Sequence, residues 1–177
     1  MTFTRPLVLY IVFVAAVFQL DTASIMSTLT AGPHFIRNSV YPISRAHIED
    51  KSLRPKGVFT LREGSEERAW HIKPAGIHGS FFSNDGAPTG TKGEGNKQVL
   101  FAFLDGETPT AWKTERVASA GKDSYVIRDL HGKFWVSIPP QPGTPGLEYQ
   151  IEVKTLILNP VDPPVYPPEA IFEIVKA

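Results

Sequence analysis

His34-Phe35-Ile36-Arg37-Asn38, Ser80-Phe81-Phe82-Ser83-Asn84 and Ser124-Tyr125-Val126-Ile127-Arg128-Asp129 decide the reading of the fold. Each is a short aromatic and aliphatic run that ends in Asn or Asp, and the runs recur at a step of roughly 45 residues. Their alternation and their aromatic and β-branched content read as strands. Further strand-like runs follow each opening: Val58 to Leu61 and Ala69 to Ile72, then Val99 to Leu104 and Ala111 to Glu115. The third set is Phe134 to Ile138, Ile151 to Leu156 and Ile171 to Val175. The units close on Trp70, Trp112 and Phe172, where core packing is the expected role of the rings. No window of about 12 residues combines helix caps with a 3.6-residue stripe. The expected fold is all-β, a β-trefoil of three repeats of about four strands, with six strands closing a barrel and six forming a hairpin cap. A β-sandwich of the same strand count is the alternative.

The chain has 177 residues, 18 basic and 18 acidic side chains, and no cysteine. That length suits one domain with a real core, expected over 27–177. A formal net charge of zero gives no electrostatic footprint for nucleic acid or an anionic membrane. The absence of cysteine excludes disulfides, thiolate metal sites and a cysteine nucleophile. With 16 Pro and 14 Gly, turns and short strands are favoured over long helices.

Residues 1–24 read apart from the rest. Arg5 is followed by the apolar run Pro6 to Leu20 and then by Asp21-Thr22-Ala23-Ser24. This is the layout of a secretory signal peptide cleaved after Ser24, and it predicts a secreted mature chain with no membrane contact. The run, about fifteen residues, is short of the roughly 20 that a span needs. The alternatives are a single-span anchor, or a non-native extension ahead of a cytoplasmic chain that starts at Met26.

Catalytic chemistry finds little footing. His34, His47, His71, His78 and His131 have no partners at metal-ligand spacing, and no Gly-x-Ser-x-Gly elbow occurs. Gly90-Thr91-Lys92-Gly93-Glu94-Gly95 lacks the phosphate-loop spacing and reads as a flexible hairpin loop. Neither an enzyme activity nor a cofactor or metal is expected. Four segments read as loops: His47 to Lys56, Gly86 to Asn96, Pro139 to Gly146, and Asn159 to Pro168. Long loops on a rigid scaffold are where binding is carried.

Gly32-Pro33-His34-Phe35-Ile36-Arg37-Asn38, Glu49-Asp50-Lys51-Ser52-Leu53-Arg54-Pro55-Lys56, Ala69-Trp70-His71-Ile72 and Pro160-Val161-Asp162-Pro163-Pro164-Val165-Tyr166-Pro167-Pro168 carry a resemblance. Together they resemble the mushroom serine protease inhibitors of the cospin and cnispin type, over about Ser27 to Ala177. The resemblance implies a cysteine-free β-trefoil that inhibits trypsin-like serine proteases through one surface loop and works as a monomer. It implies two candidate loops. In the first, Asp50, Lys51, Ser52, Leu53 and Arg54 form the protease-binding segment, with Lys51 as the specificity residue. In the second, the candidates are Asn159, Asp162 and Tyr166, but no Lys or Arg stands between Leu156 and Ile174.

The residues point the same way. A long basic side chain on an exposed loop can lay its stem on apolar pocket walls and set its charge on a buried carboxylate. Ser52 is small enough to fit beyond the scissile position, and Pro55 stiffens the loop after Arg54. An ordinary solvated charge run is the competing reading of Lys51 and Arg54. A carbohydrate-binding, lectin-like trefoil of fungal defence is the competing function, although the Gln-x-Trp repeat of ricin-type lectins is missing.

Overall fold

The computed structural model describes residues 29–95, 97–139, 148–159 and 161–177. The leader read at 1–24, and most of the stiff segment Pro139 to Gly146, lie outside the described residues. The strands are β1 (Gly32–Asn38), β2 (Tyr41–Arg45), β3 (Lys56–Thr60), β4 (Trp70–Pro74), β5 (Ser80–Asn84), β6 (Ala87–Lys92), β7 (Gln98–Ala102), β8 (Ala111–Arg116), β9 (Ser124–Arg128), β10 (Phe134–Val136), β11 (Tyr149–Gln150), β12 (Glu152–Lys154) and β13 (Phe172–Lys176). Among the described residues, helix is confined to three short 3-10 turns at Gly76–His78, Ala118–Ala120 and Pro168–Ala170.

All pairings are antiparallel. Ten strands close a circuit in the order β1-β2-β3-β7-β12-β10-β9-β8-β5-β4, and β4 returns to β1. Three further strands join this barrel: β6 between β5 and β7, β11 on β3, and β13 between β9 and β1. This corrects the β-trefoil expectation of three equal four-strand repeats. No set of six strands stands apart as a cap: ten strands close the barrel, and pairings such as β2 to β1, β6 to β5 and β10 to β9 join all the described strands in one network. The last unit also holds five strands rather than four, from β9 to β13, and β11 is only two residues long. What survives of the expectation is the all-β class and a closed sheet.

The core is aromatic. Trp70, Trp112, Trp135, Phe82 and Phe172 are fully buried. The Trp135 ring sits among the other four at centroid distances of 5.1 to 6.1 Å. Trp70 and Trp112 thus take the packing role read from the sequence, and each indole N–H finds an acceptor. Trp70 Nε1 donates to the Ile43 carbonyl at 2.7 Å, and Trp112 Nε1 donates to Thr89 Oγ1 at 3.2 Å.

The three recurring strand ends are structural as well. Asn38, Asn84 and Asp129 are all buried. Asn38 Nδ2 donates to the carbonyls of Pro168 and Ile171 at 2.9 and 2.8 Å. Asn84 Oδ1 accepts from Ser44 Oγ and the Arg45 N–H, both at 3.0 Å. Asp129 Oδ1 accepts from the N–H groups of His131 and Lys133 at 2.9 and 2.8 Å. A short polar side chain at a strand end satisfies backbone groups that no ladder reaches.

One expected loop is largely a strand. The Gly-rich stretch after Gly86 forms β6, whose Gly90 pairs with Phe101. A Cβ at Gly90 would lie 2.5 Å from the Phe103 ring, so this glycine admits a close neighbour instead of supplying flexibility.

Candidate functional site

The segment from Ala46 to Pro55 connects β2 to β3, and a buried basic side chain stands at each foot. Strand alternation explains the placement of Lys56, whereas β2 is buried continuously from Pro42 to Arg45. In β3, Lys56, Val58 and Thr60 share the inward face. In β2, Arg45 is held at the strand end by the Asn84 side chain beneath it. A buried cation needs an anion or several acceptors, and the loop provides both.

Arg45 is bidentate to Glu49, with Nε donating to Oε1 at 2.9 Å and Nη2 to Oε2. This pairing raises the Arg45 pKa above its ordinary value against the opposing effect of burial. Lys56 Nζ donates to Asp50 Oδ1, to the Asp50 carbonyl at 3.1 Å and to Ser52 Oγ at 3.2 Å. Asp50 Oδ1 also accepts from the Ser52 N–H at 2.8 Å and from Ser52 Oγ, while Ser52 Oγ accepts from the Arg54 N–H at 3.3 Å. The hydrogen bond from Lys56, and then those from Ser52, hold the Asp50 carboxyl well below the usual carboxylate range.

Residues 49, 50 and 52 are therefore hydrogen-bonded to the loop's own feet or to one another, although Asp50 itself stays largely exposed. Lys51, between them, is exposed, and so are Leu53 and Arg54. Among the described residues, neither Lys51 nor Arg54 has a carboxylate within ion-pair distance. Ile48 is also exposed on this loop, at 93%. The arrangement presents a free ammonium from a stretch of backbone braced on both sides.

The second candidate loop is built differently. Leu156 and Leu158 pack against a satellite core of Val117, Val126, Phe134 and Tyr166, which leaves Ile157 outside. Asn159 and Asp162 are exposed. The Tyr166 ring is buried against Phe134 at 5.8 Å, and its hydroxyl donates to Glu115 Oε1 at 2.9 Å. Burial and then that hydrogen bond push the Tyr166 pKa up to about 12. Tyr166 anchors this segment, while Asn38 fastens its return near Pro168 and Ile171.

Reasoning from the sequence missed Arg45 and Lys56 as supports. The signal for Lys56 was present, because counting back by twos from Thr60 and Val58 places it on the inward face.

The chain is thus a small, cysteine-free β-barrel that displays a braced basic loop. The comparisons with known proteins identify the class: the model of the family described as Peptidase inhibitor I66 matches residues 26–176, and the chain belongs to that family. A "Serine protease inhibitor" from Lentinula edodes is 32% identical over 150 residues, covering 84% of this chain and 99% of that protein. Among solved structures, a proteinase inhibitor from Coprinopsis cinerea superposes with a TM-score of 0.69 at 24% identity, over 85% of this chain and all of that one. A salivary protein from Culex quinquefasciatus superposes with a TM-score of 0.59 at 13% identity, over 84% of this chain and 95% of that one. These last two likenesses speak for the fold. The resemblance to basidiomycete inhibitors, and the reading of a binder instead of an enzyme, agree with the family.

Proposed function

We propose that this protein inhibits trypsin-like serine proteases, entering the protease active site with the loop 47–56 and filling the specificity pocket with Lys51. The observation that carries the reading is the hydrogen-bonded anchoring of Glu49, Asp50 and Ser52 to the loop's feet and to one another, around an exposed Lys51 with no ion-pair partner among the described residues. A loop held in one conformation before docking loses less entropy on binding, so more of the contact energy appears as affinity. The ammonium has no internal partner to give up among the described residues, and it gains the pocket carboxylate. Arg54 lies three residues on and serves the rim, where charge acts mainly on association rate and salt dependence. The leader supports a proposal of secretion, with a mature N-terminus near Ile25.

Residues 26–177 should be titrated against trypsin and chymotrypsin. Lys51→Ala is expected to raise the trypsin inhibition constant at least about 30-fold, the low end for truncating one partner of a desolvated charge pair. Arg54→Ala is expected to change it by less than about 10-fold and to flatten its salt dependence. Lys51→Leu should move the remaining inhibition toward chymotrypsin. Trypsin inhibition that survives Lys51→Ala and fails with Arg54→Ala would move the specificity role to Arg54. Inhibition that survives both changes refutes the loop, and makes the segment around Asn159 and Asp162 the next to vary. Glycan binding without any protease inhibition would favour the carbohydrate-binding alternative.

A further inference from the structure

We infer that Lys56 is the positioning residue that makes this loop an inhibitor instead of a substrate, because its ammonium bridges the two sides of the Lys51–Ser52 peptide bond. The inference rests on Lys51 occupying the specificity pocket. In that register the bond exposed to the protease joins Lys51 to Ser52. Asp50 lies on the acyl side of it and Ser52 on the leaving-group side. Lys56 Nζ has three protons and meets three acceptors, Asp50 O, Asp50 Oδ1 and Ser52 Oγ. Asp50 Oδ1 closes the ring by accepting from the Ser52 N–H, which is the amide nitrogen of the scissile bond itself. No disulfide crosses this loop, since the chain has no cysteine.

The consequence follows from the chemistry of acyl transfer. The protease serine oxygen attacks the Lys51 carbonyl carbon, a C–O ester bond forms, the Lys51–Ser52 C–N bond breaks, and a proton passes to the Ser52 nitrogen. In a flexible loop that amine diffuses away and water hydrolyses the ester. Here the amine remains beside the Asp50 carboxylate, and Ser52 Oγ remains on the Lys56 ammonium. Lys56 is itself buried in β3, so the leaving group is tied to the barrel. The retained amine attacks the ester carbon again, the amide re-forms, and the protease serine is released with its proton. Retention at high effective concentration favours this return over hydrolysis.

The test uses Lys56→Met, Asp50→Ala and Lys51→Ala in the mature chain, incubated with trypsin and followed by intact-mass and fragment analysis. The parent should stay uncut over hours. Lys56→Met should be cut at least about ten times faster, at Lys51–Ser52 alone, with inhibition decaying as cut chain accumulates. Asp50→Ala removes the carboxylate but leaves Lys56 Nζ the residue-50 carbonyl and Ser52 Oγ as acceptors; it should show the same confined cleavage, and it keeps the test intact should Lys56→Met not fold. Amide exchange at Ser52 should speed up in both variants. Cleavage scattered over other lysines and arginines would mean general unfolding and would overturn the inference. Folded variants that stay uncut and inhibit like the parent would overturn it while leaving Lys51 in the pocket. If Lys51→Ala still inhibits like the parent, the register itself falls, and this inference falls with it.

Discussion

Asn84→Ala removes a side chain that ties the barrel to the start of the β2–β3 loop, and its cost can be worked from two hydrogen bonds, a cavity and one unpartnered amide nitrogen. Asn84 Oδ1 accepts from Ser44 Oγ and from the Arg45 N–H, and both residues are buried. Losing the acceptor leaves two buried donors unsatisfied, at about 1–3 kcal/mol each. Removing the amide also leaves a small cavity, which adds on the order of 1 kcal/mol. One effect opposes these. Asn84 Nδ2 has no partner among the described residues, so deleting it relieves a penalty of about 1–3 kcal/mol. The sum is about 3 kcal/mol of destabilisation, which corresponds to a fall of about 6–12 °C in the thermal midpoint for a domain of this size. Urea unfolding of the parent and the variant should show a lowered midpoint with an unchanged slope. A double-mutant cycle with Ser44→Ala isolates the shared bond, and the double variant should be less destabilised than the sum of the two singles. Strict additivity, or a change below about 1 kcal/mol for Asn84→Ala, would refute the reasoning, because the buried acceptor would then carry no weight.

Tyr166 makes stability depend on alkaline pH. Its pKa is pushed up to about 12 in the fold, so its contribution is whole below its unfolded value near 10 and is lost as pH rises through 12. Solvent reaches the partly exposed Glu115, so the loss should be discounted to no more than about 2 kcal/mol. Urea unfolding at pH 9 and pH 11.5 should show this limb in the parent and a flatter one in Tyr166→Phe, and equal limbs would contradict it. Gly79 has a φ of 110° and backs onto the Trp112 carbonyl, 2.2 Å from where a Cβ would lie. Gly79→Ala should therefore cost more than about 2 kcal/mol in the same assay, and a neutral result would mean that the strands part there without penalty.

Much of this architecture was legible in the sequence, and the rest was hidden for identifiable reasons. The opening strand Ser80–Asn84 matches its sequence reading residue for residue, because a Phe-Phe pair between polar residues leaves little else for the chain to do. The polar ends Asn38, Asn84 and Asp129 recur as buried hydrogen-bonding groups, so the repeat signal was physical even though the strands do not assort into equal repeats. β2 escaped notice because Tyr41-Pro42-Ile43-Ser44-Arg45 contains a proline, which lowers any strand assignment. β6 escaped because its glycine looks like a hinge until the Phe103 ring is seen against it. β11 is too short to leave a periodic trace. At the site, the charged run marked the loop correctly, but composition does not say which charges point inward. Two of the basic residues there, Arg45 and Lys56, are supports, and two, Lys51 and Arg54, are free among the described residues.

That division of labour explains how a chain without disulfides can hold a rigid loop. An exposed ion pair contributes little, because water competes for both partners and two long side chains must be ordered. Burying one partner changes the balance. Lys56 loses its hydration on entering β3, so its three loop acceptors replace water it no longer has, and a loop that swings away leaves a buried ammonium unsatisfied. The barrel thereby transmits its own stability to residues 50 to 52. The same logic separates fold from function at this position. In Lys56→Met the buried charge is gone, a side chain of similar length fills the inward site, and Asp50 is left exposed to water, which solvates it. The thermal midpoint should therefore stay about where it is while cleavage at Lys51–Ser52 accelerates. A buried lysine that adds little net stability to the fold, but fixes the loop, is the arrangement expected where binding outweighs bare stability.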